Sequence, residues 1–302
     1  MKLDGKRKIA LIGVPIDLGA GIQGTNLGPE AIRIAGIVKR LEAIGYSVDD
    51  RGDIPADRRG ASIVEGTNLK NLKEIVKVNS LLCKEVSSVM EEGMIPVVLG
   101  GDHSIAIGTI FGVLQHKKTL GVIWFDAHGD INTAETSPSG NIHGMPVAVL
   151  TGMGHEELTS IGGNVFLKRE NLVYVGSRDL DEGERKAMKE QGIKVFTMYE
   201  IDDMGIKKVM EEAIKIAGDG TDGIHVSFDL DAVDPEVAPG TGTKVPGGMG
   251  YRETHHALEM IAMSNKLVSV EFVEVNPLLD RQNTTAEVTV ALAGSLLGEW
   301  LI

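Results

Sequence analysis

The stretch Trp124-Phe125-Asp126-Ala127-His128-Gly129-Asp130-Ile131-Asn132 changes character partway along. Residues 120–125 form an apolar, strand-like run. Directly after it Asp126, His128 and Asp130 stand two residues apart. In an extended chain alternate side chains point to the same side, so all three converge at the end of a strand. Two carboxylates and an imidazole aimed at one point repel or desolvate one another unless a cation joins them. The plain alternative is a strand that runs into a polar loop. The spacing favours a metal site, because clusters of this kind mark functional positions.

Outward from this stretch, apolar runs alternate with helical patterns. The strand candidates are residues 9–13, 46–49, 95–99, 121–125, 172–175, 194–197, 224–228 and 267–273. Most are continuously apolar rather than alternating, as expected when both faces of a sheet are covered. Between them, Leu69, Leu72, Ile75, Val76, Leu82, Val86 and Val89 keep one helical face apolar over about 69–92, and Gly93 ends it. Pro29 opens a helix reaching to about residue 44, closed by Gly45. Residues 282–297 are a last helical pattern, entered through Asn283 or Thr284. The expected fold is α/β: a three-layer α-β-α sandwich with a central, mostly parallel sheet. Functional loops then belong at the carboxyl ends of the strands.

Polar loops interrupt the pattern at 53–68, 133–141, 162–171 and 234–250, the first expected to be a surface excursion. No repeat, low-complexity tract or Pro/Ser linker divides the chain, which reads as a single domain over residues 1–302. Gly19-Ala20-Gly21-Ile22-Gln23-Gly24 lacks the glycine order of a nucleotide fingerprint and is expected to be a mobile loop near the site.

The 302 residues are 42% hydrophobic, enough for a large core. The net charge of −13 comes without any basic cluster, which argues against nucleic acid as a partner. An acidic balance serves solubility and favours a cationic substrate. The lone Cys83 falls in an amphipathic helical pattern as a small hydrophobe. Without a disulfide framework the chain suits a reducing cytoplasm. The apolar run after the charged start meets Pro15 and Asp17 too soon for a secretory signal. Nothing approaches the roughly 20 apolar residues of a membrane span.

Two more strand ends match the opening stretch. The strand candidate 224–228 runs into Asp229-Leu230-Asp231, again two residues apart. The candidate 95–99 runs into Gly100-Gly101-Asp102-His103-Ser104. Three strands of one parallel sheet ending in potential ligands is a specific signal, because those ends share an edge. The ligand set is His103, Asp126, His128, Asp130, Asp229 and Asp231. Its four carboxylates are neutralised by two divalent ions, whereas one ion leaves excess negative charge. Oxygen-rich ligation with imidazole and no sulfur favours Mn²⁺, with Co²⁺ or Fe²⁺ as alternatives, over zinc. Two such ions ~3.5–4 Å apart can bridge one water and bring its pKa toward about 7. The chemistry implied is hydrolysis.

Other polar residues carry two readings each. His143 is either a helix-start histidine or a proton shuttle at the site mouth. Glu274, ending the strand candidate 267–273, is either solvated or placed to pair with a cationic substrate group. His225 inside a strand reads as structural. His116, His155, His255 and His256 read as surface residues, and Asp102 and Asp234 as loop braces. Asp179, Asp181, Glu182 and Glu184 read as a solvated helix start.

Gly-Gly-Asp-His-Ser at 100–104, Asp-Ala-His-Gly-Asp-Ile-Asn at 126–132, Ser-Gly-Asn-Ile-His-Gly at 139–144 and Ser-Phe-Asp-Leu-Asp-Ala-Val-Asp-Pro at 227–235 together resemble the signatures of the ureohydrolase superfamily. Gly-Val-Pro-Ile-Asp at 13–17 and Glu-Phe-Val-Glu-Val-Asn-Pro at 271–277 extend the resemblance to both ends, and the whole chain resembles the bacterial arginases. The resemblance implies an eight-stranded parallel sheet, two Mn²⁺ per subunit and conversion of L-arginine and water to L-ornithine and urea. It implies that a metal-bridging hydroxide attacks the guanidinium carbon. Glu274 matches the acid that holds the guanidinium, His143 the histidine of proton transfer, and Asp130 the ligand that relays a proton to the departing amine. Asn132, Ser137 and Ser139 match the loop around the α-carboxylate. Asp181 matches the acid that receives the α-ammonium, with Glu184 nearby and Thr243 on the far loop. The alternative is an agmatinase or another guanidino-hydrolase of the superfamily. Those relatives resemble this chain at the metal ligands but not in the loop from Asn132 to Asn141. Family members form trimers or pairs of trimers, so a homo-oligomer is implied.

Overall fold

The structure, a computed structural model, describes residues 8–56 and 68–300. The strands are β1 (Lys8–Val14), β2 (Ser47–Asp53), β3 (Ile95–Gly100), β4 (Gly121–Phe125), β5 (Leu172–Ser177), β6 (Lys194–Thr197), β7 (Ile224–Asp229) and β8 (Leu267–Val273). They form one eight-stranded sheet in the order β2-β1-β3-β8-β7-β4-β5-β6. All pairings between these strands are parallel, so the expected architecture is observed. The helices are α1 (Gly28–Ile34), α2 (Ile37–Ala43), α3 (Leu72–Glu91), α4 (Ala106–Leu114), α5 (Pro146–Leu150), α6 (Glu156–Thr159), α7 (Glu182–Gln191), α8 (Met198–Met204), α9 (Ile206–Gly218), α10 (Tyr251–Ser264) and α11 (Thr284–Leu296).

Strand periodicity builds the three layers. Ile9, Leu11, Ile123 and Phe125 face the core shared with α1, α2 and α8 to α11. Their neighbours Ala10, Ile12, Val122 and Trp124 face the core shared with α3 to α7. Each fully buried Val, Leu, Ile or Phe contributes about 1.5–3 kcal/mol, and burial on both faces explains why the strands read as unbroken apolar runs. β4 starts against α9: a Cβ on Gly121 would lie 1.7 Å from the Ala217 carbonyl oxygen. Gly121→Ala is expected to cost about 2–3 kcal/mol by forcing that backbone apart. A denaturant midpoint equal to wild type would contradict this contact.

Two helical expectations are corrected. The single helix expected over 29–44 is two, because Gly36 adopts φ 94° and breaks the ladder between α1 and α2. The last helix begins at Thr284 after Asn283, but Asn283 sits at φ 64° and its side chain does not cap the helix. Its Nδ2 donates instead to the Ala31 carbonyl at 3.0 Å, tying α11 to α1. The surface excursion expected at 53–68 falls largely on residues 57–67, which lie outside the described residues.

Strand order decides where chemistry can occur. The central neighbours are β3, β8, β7 and β4, with Leu99 level with Phe272, Phe228 with Phe272, and Phe125 with Phe228. The carboxyl ends of these four strands therefore form one row. Segments distant in sequence deliver His103, Glu274, Asp229 and Asp126 side by side at that edge.

Candidate metal centre and adjoining pocket

His103 opens a short 3₁₀ turn after β3. Its Nδ1 lies 3.2 Å from Asp126 Oδ2, 3.0 Å from Asp130 Oδ2 and 3.2 Å from Asp229 Oδ2. His128 Nδ1 lies 3.5 Å from Asp126 Oδ1 and 3.1 Å from Asp231 Oδ2. Two groups able to hold a metal ion result, one of His103, Asp126 and Asp229, the other of Asp126, His128 and Asp231. Asp126 belongs to both and offers one oxygen to each. Asp130 completes the first group, and reaches it from a left-handed backbone at φ 49°. Non-glycine residues adopt that region infrequently, aspartate and asparagine more readily than most. All six residues named from the sequence as candidate ligands are brought together.

The donors fit divalent cations. His103 Nδ1 is buried and has no hydrogen-bond partner, while three carboxylate oxygens face it. Burial, together with the charge of Asp126, pushes Asp130 up to about 6. Burial and the charges of Asp231 and Asp126 push Asp229 well above the usual carboxylate range. Burial opposes ionisation of Asp126 too, but the His103 and His128 imidazoles beside it outweigh burial and hold the carboxyl low. His128 is likewise raised, burial being outweighed by Asp126 and Asp231. So many acids crowded round two imidazoles resist ionising together, and cations relieve that repulsion.

Surrounding groups hold the ligands still. Trp124 Nε1 donates to Asp126 Oδ2 at 2.9 Å, and the Trp124 indole stacks on the His103 ring at 4.3 Å. Thr243 Oγ1 donates to Asp231 Oδ2 at 3.0 Å, and Tyr174 hydroxyl to the Gly129 carbonyl at 2.6 Å. The Arg178 guanidinium donates to the carbonyls of Asp231 (2.6 Å) and Val245 (2.7 Å), clipping the turn after β7 to the following loop. Asp102 braces loops as expected, accepting the Gly19 and Ser104 N–H groups. The Gly19–Gly24 segment lies beside the site: the His143 N–H donates to the Gly19 carbonyl. It is tied down at Gly19 by Asp102 and at Gly24 by Asp17.

A cavity of about 240 Å³ opens beside the cluster, with His128, Asp130 and Asp229 on its wall. Asn132, Ser137, Ser139 and His143 line it from one loop, and Asp181, Glu184 and Thr243 from the other side. Asn132 Nδ2 donates to Asp181 Oδ2 at 2.7 Å. Ser137 and Ser139 hydroxyls accept the N–H groups of Gly140 and Asn141. Asp181 caps α7 reciprocally with Glu184. The helix start was expected, but Glu184 is buried rather than solvated, and burial with Asp130 nearby pushes it up to about 7. Glu274 lies beneath this wall at φ 65°, 3% exposed. Its Oε1 accepts the His103 N–H at 2.9 Å and sits 3.1 Å from His143 Nδ1.

His255, expected on the surface, is buried and hydrogen-bonded to Ser295 at 2.7 Å, because α10 packs along α11. Roles not read from the sequence are those of Trp124 as a donor, of Arg178, and of Ser227 and Glu271, which open two of the quoted motifs. The signal for Ser227 and Glu271 was polarity inside apolar strands; for Arg178 it was a lone cation just beyond β5.

The sequence model of the Arginase family matches residues 7–298. An arginase from Bacillus caldovelox is 53% identical over 98% of this chain and 100% of its own length, and its native crystal structure at pH 5.6 superposes with a TM-score of 0.95. An Entamoeba histolytica arginase in complex with L-ornithine is 36% identical over 97% of this chain and 98% of that one, with a TM-score of 0.90. A hypothetical agmatinase from Burkholderia thailandensis is 25% identical over 96% of this chain and 85% of that one, with a TM-score of 0.75.

Proposed function

The chain belongs to the arginase family, and from that premise we propose that it hydrolyses L-arginine to L-ornithine and urea with two Mn²⁺ per subunit. The observation that carries the binuclear reading is Asp126, whose two oxygens enter two separate ligand groups. His103, Asp126, Asp130 and Asp229 would hold one ion, and Asp126, His128 and Asp231 the other. Bound there, such a pair would lower the pKa of a water toward about 7 and stabilise the negative charge that develops on oxygen during attack.

The remaining steps fall to this chain's own residues. Burial would raise Glu274, but its hydrogen bond to His143 and that residue's charge hold it below its ordinary value. It stays anionic and holds the guanidinium by charge-assisted hydrogen bonds. Water adds through its oxygen to the guanidinium carbon, the bond from that carbon to the substituted nitrogen breaks, and a proton passes to the departing amine of ornithine. Asp130 relays that proton, and His143 at the cavity wall exchanges protons with solvent. Asn132, Ser137 and Ser139 read the α-carboxylate. Asp181, with Glu184 behind it, receives the α-ammonium, and Thr243 steadies Asp231 on the far side. The ornithine complex of the Entamoeba histolytica relative supports a pocket of this kind.

Urea release from Mn²⁺-loaded protein tests the reading. L-Arginine is expected to turn over at least about 100-fold faster than agmatine, because agmatine leaves the carboxylate-binding donors unpaired. Turnover of agmatine without arginine would overturn the assignment. Ser139→Ala is expected to cost arginine about 10–100-fold in kcat/KM, the worth of a hydrogen bond to a charged group, and agmatine much less. Equal losses would mean that the loop does not read the carboxylate.

pH dependence follows from His143. Burial opposes its protonation, but Glu274 outweighs burial and raises it to about 9. The imidazolium predominates below that value and the proton-accepting base above it. Activity should therefore rise with pH and level off beyond about 9, and His143→Asn should flatten that limb; a flat wild-type profile would contradict the role. We further propose a single domain, a homo-oligomer of three or six copies as the family resemblance implies, and a cytoplasmic location suited to the buried free Cys83. No described helix is long and apolar enough to cross a membrane.

A further inference from the structure

Two polar residues in the middle of the sheet take no part in the chemistry above. Ser227 in β7 and Glu271 in β8 are neighbours in register, and both are 0% exposed. An ionisable carboxyl inside a sheet costs several kcal/mol unless it is paired, so its partners show what it serves. Glu271 Oε1 accepts the Ser227 hydroxyl at 2.8 Å, and Ser227 Oγ lies 2.8 Å from His103 Nε2. The same Glu271 oxygen lies 3.4 Å from His225 Nε2, and His225 Nδ1 meets Ser269 at 2.8 Å. Burial alone would raise Glu271, yet the hydrogen bond and charge of His225 hold it below its ordinary value.

With a cation held in the cluster, the donors and acceptors permit one arrangement. An ionised carboxylate only accepts, so the single Ser227 proton points to Glu271. The Ser227 oxygen can then only accept from His103, which places the ring proton on Nε2. Nδ1, 3.0–3.2 Å from oxygens of Asp126, Asp130 and Asp229, then keeps its lone pair for a cation shared with those carboxylates. The stack on Trp124, with planes 11° apart, fixes the ring orientation.

We propose that Glu271 is a positioning residue: through Ser227 it fixes the His103 tautomer and so sets the affinity of the first ion site alone. This rests on the metal reading of the six-ligand cluster. His128 lies in the other group, and its ring meets Asp126, Asp179 and Asp231 rather than Glu271, so the effect is confined to one ion. Supports of this kind are worth about 10–100-fold in metal affinity.

The test is titration of metal-free protein with Mn²⁺ against a competing chelator, for wild type, Glu271→Gln, Ser227→Ala, the double variant and Ser227→Thr. Wild type is expected to bind two ions. Each single variant should weaken one ion by about 10–100-fold and leave the other unchanged. The double variant should be no worse than the worse single, because both break one chain. Ser227→Thr, which keeps the hydroxyl, should restore wild-type affinity. Ser227→Ala leaves the Glu271–His225 pair intact and carries the test if Glu271→Gln fails to fold. Two ions in wild type with no loss, or equal loss at both sites, or additive losses, or no rescue by threonine would overturn the relay. A wild type that binds fewer than two ions would instead overturn the binuclear reading beneath it.

Discussion

Asp126→Asn is expected to release both ions and to lower urea production by about four orders of magnitude. Asparagine keeps the shape but removes the charge and one of two acceptors, since Asp126 Oδ2 accepts from Trp124 and Oδ1 from the His128 N–H at 2.7 Å. Asp126 Oδ2 belongs to the group around His103 and Oδ1 to the group around His128. Among the described residues no other stands in both groups. Loss of several kcal/mol of Lewis-acid stabilisation corresponds to about 10³–10⁴ in rate, at 1.36 kcal/mol per tenfold. Asp231→Asn is the control, since it touches the second group alone and should retain one ion. Metal content per chain, measured beside urea release, separates the two. Added Mn²⁺ should raise the melting temperature of wild type but not of Asp126→Asn, because a ligand stabilises only the state that binds it. Full metal content in Asp126→Asn would contradict the shared role.

Glu274→Gln should leave both ions bound yet cut kcat/KM for L-arginine by about 30- to several thousand-fold, the 2–5 kcal/mol lost when one partner of a buried charge pair is removed. Glu274 touches the His103 backbone and the His143 ring but belongs to neither ligand group. Glutamine can still accept the His103 N–H; it cannot neutralise a guanidinium. A second effect follows from the same contact. The Glu274 carboxylate is what raises His143 to about 9 against the effect of burial. Without that charge the alkaline limb of the activity profile should move down toward the ordinary histidine value of about 6.5. A limb that stays where it is would dissociate His143 from Glu274. Loss of metal in this variant would place Glu274 in the cluster itself.

How far the chain discloses itself depends on the range of the interaction. Strands are legible because burial on both faces leaves unbroken apolar runs, and all eight strand candidates correspond to β1 to β8. The ligands are legible because alternation along an extended chain places Asp126, His128 and Asp130 together, and Asp229 with Asp231, by local geometry. The break at Gly36 was less visible, since a glycine inside an apolar helical pattern shows a turn only once its φ is known. The burial of His255 and Glu184 was hidden for another reason. Their own segments look amphipathic or polar, and what covers them comes from elsewhere, from α11 over His255 and from the Gly129 strand end over Glu184.

By itself, then, the sequence determined the sheet-and-helix alternation and the donor types at three strand ends, because both depend on neighbours a few residues apart. Only the tertiary structure decided that Asp126 serves two groups, that Glu274 reaches both His103 and His143, and that Glu271 stands behind His103 through Ser227. Those contacts join residues up to 171 positions apart. They exist because parallel pairing sets β3, β8, β7 and β4 side by side, an order that chain spacing does not encode.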